Sequence, residues 1–160
     1  MAKDKIPITQ AIRQLRKEKV AFSGHLYTYL EKGGTSVPAR ELGVDEHCVI
    51  KTLVMEDDNH VPLIILMHGD RQVSVKELAR IIGVRQITPC ALDVAYKHTD
   101  YLAGGTSPFG TKRQMPVYME ESIAMLSEIM INGGKRGFLV RMDPSELIRV
   151  LRPTLVKVGI

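Results

Sequence analysis

Val49-Ile50-Lys51-Thr52-Leu53-Val54-Met55-Glu56 and Val61-Pro62-Leu63-Ile64-Ile65-Leu66-Met67-His68 are two apolar runs parted by Asp57-Asp58-Asn59-His60. Aliphatic and β-branched runs joined by a short polar turn read as a β-hairpin. One residue does not match its neighbours. Lys51 places an ammonium inside a run otherwise fit for burial. Either it points to solvent from an ordinary pleated strand, or its stem packs while its head is held at a polarising or phosphate-binding position.

Working outward, Ile8–Val20 reads as a helix, with Thr9 as its cap and Ile8, Ile12 and Leu15 on one face. Ala21–Leu30 alternates like a strand and holds Tyr27 and Tyr29. Ser36 is placed to cap a short helix over Pro38–Leu42, closed by Gly43. Ser74, Glu77 and Gly83 mark the start, third position and end of another helix. A brief strand at Arg85–Thr88, a short helix at Ala91–Lys97, a strand at Met115–Met119 and a helical turn at Glu120–Leu126 follow. Ser127–Ile131 and Phe138–Met142 form a second hairpin. Asp143-Pro144-Ser145-Glu146 starts a helix running to about Leu151. Pro153 stops it, and Thr154–Val158 suits an edge strand. Strands arriving as hairpins, with helices at intervals, predict one α+β domain with a mixed, mostly antiparallel sheet.

The 160 residues suit a single domain spanning 1–160. A net charge of +4 permits a nucleic-acid partner without demanding one. Cys48 and Cys90 lack any CxxC spacing, and the five histidines show no HExxH, so no metal site is expected. No cofactor fingerprint is present either. The opening residues, Met1 to Gln10, lack an apolar signal core, and the run Val61–Met67 is too short to span a bilayer. A cytoplasmic protein with no membrane contact is the expectation. Monomer and weak dimer both remain open.

Two glycine-rich segments carry the chemistry. Gly104-Gly105-Thr106-Ser107-Pro108-Phe109-Gly110 is followed by Lys112 and Arg113; Gly133-Gly134-Lys135-Arg136-Gly137 holds its own basic pair. Glycine lets a backbone approach a ligand, and loop N–H groups beside cations suit a phosphate or carboxylate. The plain alternative is a connection and a hairpin turn with solvated charges. Together with Lys51 the segments predict one cleft, with Lys112, Arg113, Lys135 and Arg136 as phosphate contacts.

Val49-Ile50-Lys51-Thr52-Leu53, the first glycine segment and Asn132-Gly133-Gly134-Lys135-Arg136-Gly137, in this order, resemble the YbaK/EbsC family of freestanding aminoacyl-tRNA deacylases. That family is related to the editing domain of prolyl-tRNA synthetases. The resemblance covers nearly the whole chain. It implies a mixed β-sheet or barrel flanked by helices, and hydrolysis of the ester of mischarged tRNA, typically Cys- or Ala-tRNA(Pro). It implies Lys51 as the essential lysine. It implies substrate binding by Tyr27, Gly104, Gly105, Thr106, Ser107, Pro108, Gly110, Gly133, Gly134 and Lys135. Prolyl-tRNA synthetase is an implied partner. Leu139 departs from the pattern, standing where the Cys-specific branch tends to carry an acid. The alternative function is a non-catalytic module that binds tRNA or a synthetase with the same cleft.

Overall fold

A computed structural model describes residues 5–160; the first four residues of the polar opening lie outside it. The central hairpin pairs β2 (Val49–Asp57) with β3 (Pro62–His68), antiparallel from Ile50↔His68 to Glu56↔Pro62. The Asp57 carboxylate accepts the N–H groups of Asn59 and Val61, which closes the turn. Every residue of β3 is buried. A strand buried on both faces needs neighbours on both sides, and distant segments supply them.

On one flank, β6 (Ile129–Lys135) runs parallel to the start of β2, β7 (Phe138–Met142) pairs antiparallel with β6, and β1 (Ser23–Leu26) ends the sheet. On the other flank, β5 (Val117–Glu120) lies parallel to β3 and β8 (Thr154–Val156) parallel to β5. A short strand, β4 (Ile87–Pro89), pairs with the far end of β2. The order is β1-β7-β6-β2-β3-β5-β8. It is an open mixed sheet, with no pairing between β1 and β8 among the described residues.

Among the described residues, five α-helices cover it: α1 (Gln10–Lys17), α2 (Ser36–Leu42), α3 (Val75–Ile82), α4 (Leu92–Thr99) and α5 (Pro144–Leu151). Ala11, Ile12 and Leu15 of α1 and Leu147 of α5 pack on Ile50, Ile64, Ile131 and Val140. Fully burying one such aliphatic side chain stabilises by about 1.5–3 kcal/mol. The opposite face carries two smaller clusters. Leu78 of α3 packs with Met55, Ile65 and Met67, while Ala39 of α2 packs with Val49, Met130 and Leu139.

Three caps act as the residue types predict. Thr9, Ser74 and Asp143 accept the N–H groups of Ile12, Glu77 and Ser145. Two local expectations fail. The strand over 21–30 shrinks to Ser23–Leu26, because the Thr28 N–H turns to the Glu41 carboxylate and leaves the ladder. Ser36 is not a cap; it lies in the first turn of α2, with its hydroxyl on the Gly33 carbonyl. The second hairpin also differs. β6 continues through Gly133 and Gly134 to Lys135↔Phe138, with an irregular register after Asn132, so the turn itself is only Arg136 and Gly137.

The C-terminal residues are stitched to the body. Gln72 and Ile160 exchange backbone bonds of 2.9 Å, and the Ser74 N–H reaches the Val158 carbonyl at 2.8 Å. The buried Glu120 carboxylate accepts the N–H groups of Val158 and Gly159 at 2.7 and 2.8 Å. Among the described residues, no helix is long and apolar enough to cross a membrane.

Candidate active site

β2 has an incomplete neighbour on one edge. β6 pairs with it only at Val49 and Ile50, and β4 only from Met55 to Asp57. Lys51 to Leu53 therefore face a gap between two strands, which closes where the Cys90 N–H reaches the Val54 carbonyl. A cleft of about 480 Å³ opens there, within the range of small-ligand sites. Lys51 shares a face with Val49 and Leu53, which belong to different apolar clusters, and its half-buried side chain occupies the space between them. Burial lowers the Lys51 pKa; the carboxylates of Glu46 and Asp70 pull it back in part. The ammonium donates to the Arg71 carbonyl. The stem is packed and the head is held at the cleft wall.

The two glycine segments meet at this gap. A Cβ on Gly105 would stand 2.8 Å from the Arg136 nitrogen, so glycine is what lets the two backbones touch. Asn132 ties them side chain to main chain. Its Nδ2 donates to the Gly104 carbonyl at 3.1 Å, and its Oδ1 accepts from Gly134 and Lys135 at 2.7 and 3.1 Å. Arg136 closes the rim, with Nε on the Ala103 carbonyl at 2.7 Å and its guanidinium 5.2 Å from the Tyr29 ring centre. Tyr29 in turn covers Gly104, whose φ of +83° suits glycine.

The expected site residues separate into two groups. Lys51, Tyr27, Gly104 and Thr106 line the cleft, and Gly105 abuts the second loop. Burial raises the Tyr27 phenol pKa. Ser107 is buried, and its hydroxyl accepts the Phe109 N–H. Pro108 and Gly110 face a different groove. Gly133 packs on the Phe138 ring and Gly134 on Tyr101 and Thr9, behind the cleft wall. Lys135 is exposed and lies outside the cleft lining, as do Lys112 and Arg113. Leu139 contributes to the apolar floor with Val49.

The wall formed by Leu30, Gly33, Thr35 and Pro38 was not legible as part of a site. Gly33-Gly34 reads as any loop. The bracing role of Asn132 was missed too, although an Asn before two glycines is a local signal for side-chain-to-backbone bonds. A second lobe of about 460 Å³ adjoins the cleft and shares Thr52, Leu53, Leu92, Ala103, Gly104 and Thr106 with it. Cys90 lines that lobe. Burial and the nearby Glu56 push its thiol up to about 11, so it is protonated at neutral pH and inert as a nucleophile. The Thr52 hydroxyl between the lobes is buried without a hydrogen-bond partner among the described residues.

Comparison with known proteins gives the family and the fold. The chain is 30% identical over 142 residues to an Enterococcus faecalis protein provisionally named Cys-tRNA(Pro)/Cys-tRNA(Cys) deacylase EbsC, covering 88% of this chain and 86% of that one. It is 31% identical over 83 residues to the proline–tRNA ligase of Thermodesulfovibrio yellowstonii, covering 52% of this chain and 13% of the ligase. A crystal structure described as a trans-editing enzyme for prolyl-tRNA synthetase, itself a provisional assignment, superposes with a TM-score of 0.83 over 97% of this chain and 99% of that one. At 18% identity, that match establishes the fold alone. The aminoacyl-tRNA editing domain profile matches residues 34–150, a span that holds Lys51, both glycine segments and Asn132: the chain belongs to the aminoacyl-tRNA editing domain family.

Proposed function

We propose that residues 1–160 act as one freestanding editing domain that hydrolyses the ester of mischarged tRNA, with Cys- or Ala-tRNA(Pro) as the substrates to test first. The observation that carries this reading is the Lys51 ammonium, held half-buried in a cleft that both glycine segments border. An aminoacyl ester is already activated, so catalysis asks mainly for orientation and for stabilisation of the developing oxyanion. In the proposed reaction a water oxygen bonds to the ester carbonyl carbon. The bond to the ribose oxygen breaks, and that oxygen takes a proton. Lys51 supplies a fixed positive charge for the carbonyl or the terminal phosphate. Gly104 and Gly105 let the backbone approach the acylated end, and Tyr27 and Leu139 bound the amino-acid side chain. Prolyl-tRNA synthetase is the proposed source of the mischarged substrate.

One observation favours a purely binding role: the Lys51 ammonium already donates to Arg71. Single-turnover hydrolysis of a panel of mischarged tRNA(Pro) species decides between the two. The parent should hydrolyse at least one species, and Lys51→Ala should be slower by roughly 10²-fold, the scale of a lost oxyanion donor. Parental binding of tRNA with no hydrolysis of any species would leave only the binding module.

A further inference from the structure

We propose a second RNA contact on the opposite side of the first glycine segment: a cationic groove for the phosphate backbone of the RNA whose acylated end enters the cleft. The choice of RNA as the occupant rests on the functional reading of the cleft. The groove has a volume of about 540 Å³. Gln10, Arg13, Gln14 and Lys17 form one wall; they stand at i, i+3, i+4 and i+7 of α1, opposite the buried Ala11, Ile12 and Leu15. Pro108, Gly110 and Gln114 form the other wall. The Gln14 carboxamide oxygen accepts the Gly110 N–H and fixes the two walls together.

Charge selects the occupant. No carboxylate lines this groove, and among the described residues neither Arg13 nor Lys17 is paired with one. Amides and two cations over an apolar floor of Ile64 and Val117 suit a phosphodiester with its sugar. Position selects it too. Gly104 borders the cleft and Pro108 borders the groove, so three residues of chain lie between them and their Cα atoms are at most about 14 Å apart. A polynucleotide seated at one site passes the other.

The test is binding of a deacylated tRNA transcript by fluorescence anisotropy across a salt series. Three proteins are compared: the parent, Arg13→Glu with Lys17→Glu, and Lys76→Glu with Arg85→Glu. The last pair is exposed, is not part of the groove lining, and changes net charge by the same amount. The groove variant should bind at least about tenfold more weakly at low salt. Its slope of log K against log salt should drop by about 1.4–1.8, two contacts at about 0.7–0.9 each. The control pair should keep the parental slope. Equal losses in both variants, no loss in the groove variant, or no RNA binding by the parent would each overturn the proposal. Thermal melts confirm that the variants fold. Hydrolysis separates this proposal from the reading of the cleft. A raised KM on full-length acylated tRNA with an unchanged rate on aminoacyl-adenosine supports the groove. Groove-dependent binding without any hydrolysis sinks the deacylase reading alone, and parental kinetics in the groove variant sink the groove alone.

Discussion

An ammonium half out of water stores a desolvation cost, and Lys51 carries that cost at the cleft wall. Its pKa in the folded chain lies below the ordinary 10.5, first because burial disfavours the charged form. The sign of the linkage follows. Between the folded and unfolded pKa values the unfolded chain binds the extra proton, so stability rises with pH toward 10.5, and Lys51→Met should flatten that rise in denaturant titrations. Hydrolysis that needs the charge should fall with an alkaline midpoint below 10.5. Lys51→Arg should not restore the rate of Lys51→Ala, because a planar fork does not replace a compact point charge. Lys51→Ala should stay within about 1–2 kcal/mol of parental stability, a typical single-mutant effect. Thr52 offers the complementary case. Its hydroxyl is buried and has no partner among the described residues, which costs about 1–3 kcal/mol. Thr52→Val should therefore raise the urea midpoint, and a lower midpoint would mean that the hydroxyl has a partner in solution.

At the scale of elements, the β6–β7 hairpin carries one cleft wall, and Asn132 carries the hairpin's junction with the first glycine loop. Asn132 is only 9% exposed and makes three bonds to main chain. Asn132→Ala removes all three bonds, whose main-chain partners are part-buried, and should cost about 0.5–1.5 kcal/mol for each bond lost. Asn132→Asp keeps both acceptor bonds and loses the donor to Gly104. It should fold better than the alanine variant and still lose hydrolysis, a comparison that thermal melts and single-turnover rates decide. The central hairpin and the helices at 74–82 and 144–151 were legible because periodicity and caps are local signals. Sheet order was not. The parallel contact of β2 with β6 rests on two residue pairs between segments far apart in sequence. The gap that becomes the cleft follows from where β6 and β4 stop, which no local pattern encodes. Ser36 failed as a cap for a similar reason. The helix already begins at Ser36, which leaves the cap position to Thr35, and the Thr35 side chain turns away to donate toward Glu46 and Gly69, both remote in sequence.

Across the whole molecule, acid should act through His68. Its ring is 1% exposed, stacks on His47 at 3.7 Å, bonds the His47 carbonyl through Nδ1 and meets the Ser122 hydroxyl through Nε2. Burial lowers its pKa below 6.5, although Asp70 and Glu120 oppose this. Below about 6.5 the unfolded chain takes up the proton first, so stability should fall with pH, and His68→Gln should flatten the decline in melts between pH 7 and 5. The C-terminal stitching acts at the same scale. Ile160 holds Gln72, and the carbonyl next to Gln72, that of Arg71, is the one that receives the Lys51 ammonium. A premature stop codon at position 158 leaves every cleft residue encoded, yet it strands the Glu120 carboxylate and unhooks the segment that aims the lysine. Such a truncated protein should melt earlier and hydrolyse more slowly than its melting loss alone explains. A genetic screen scored only on intact cleft codons would pass it as functional.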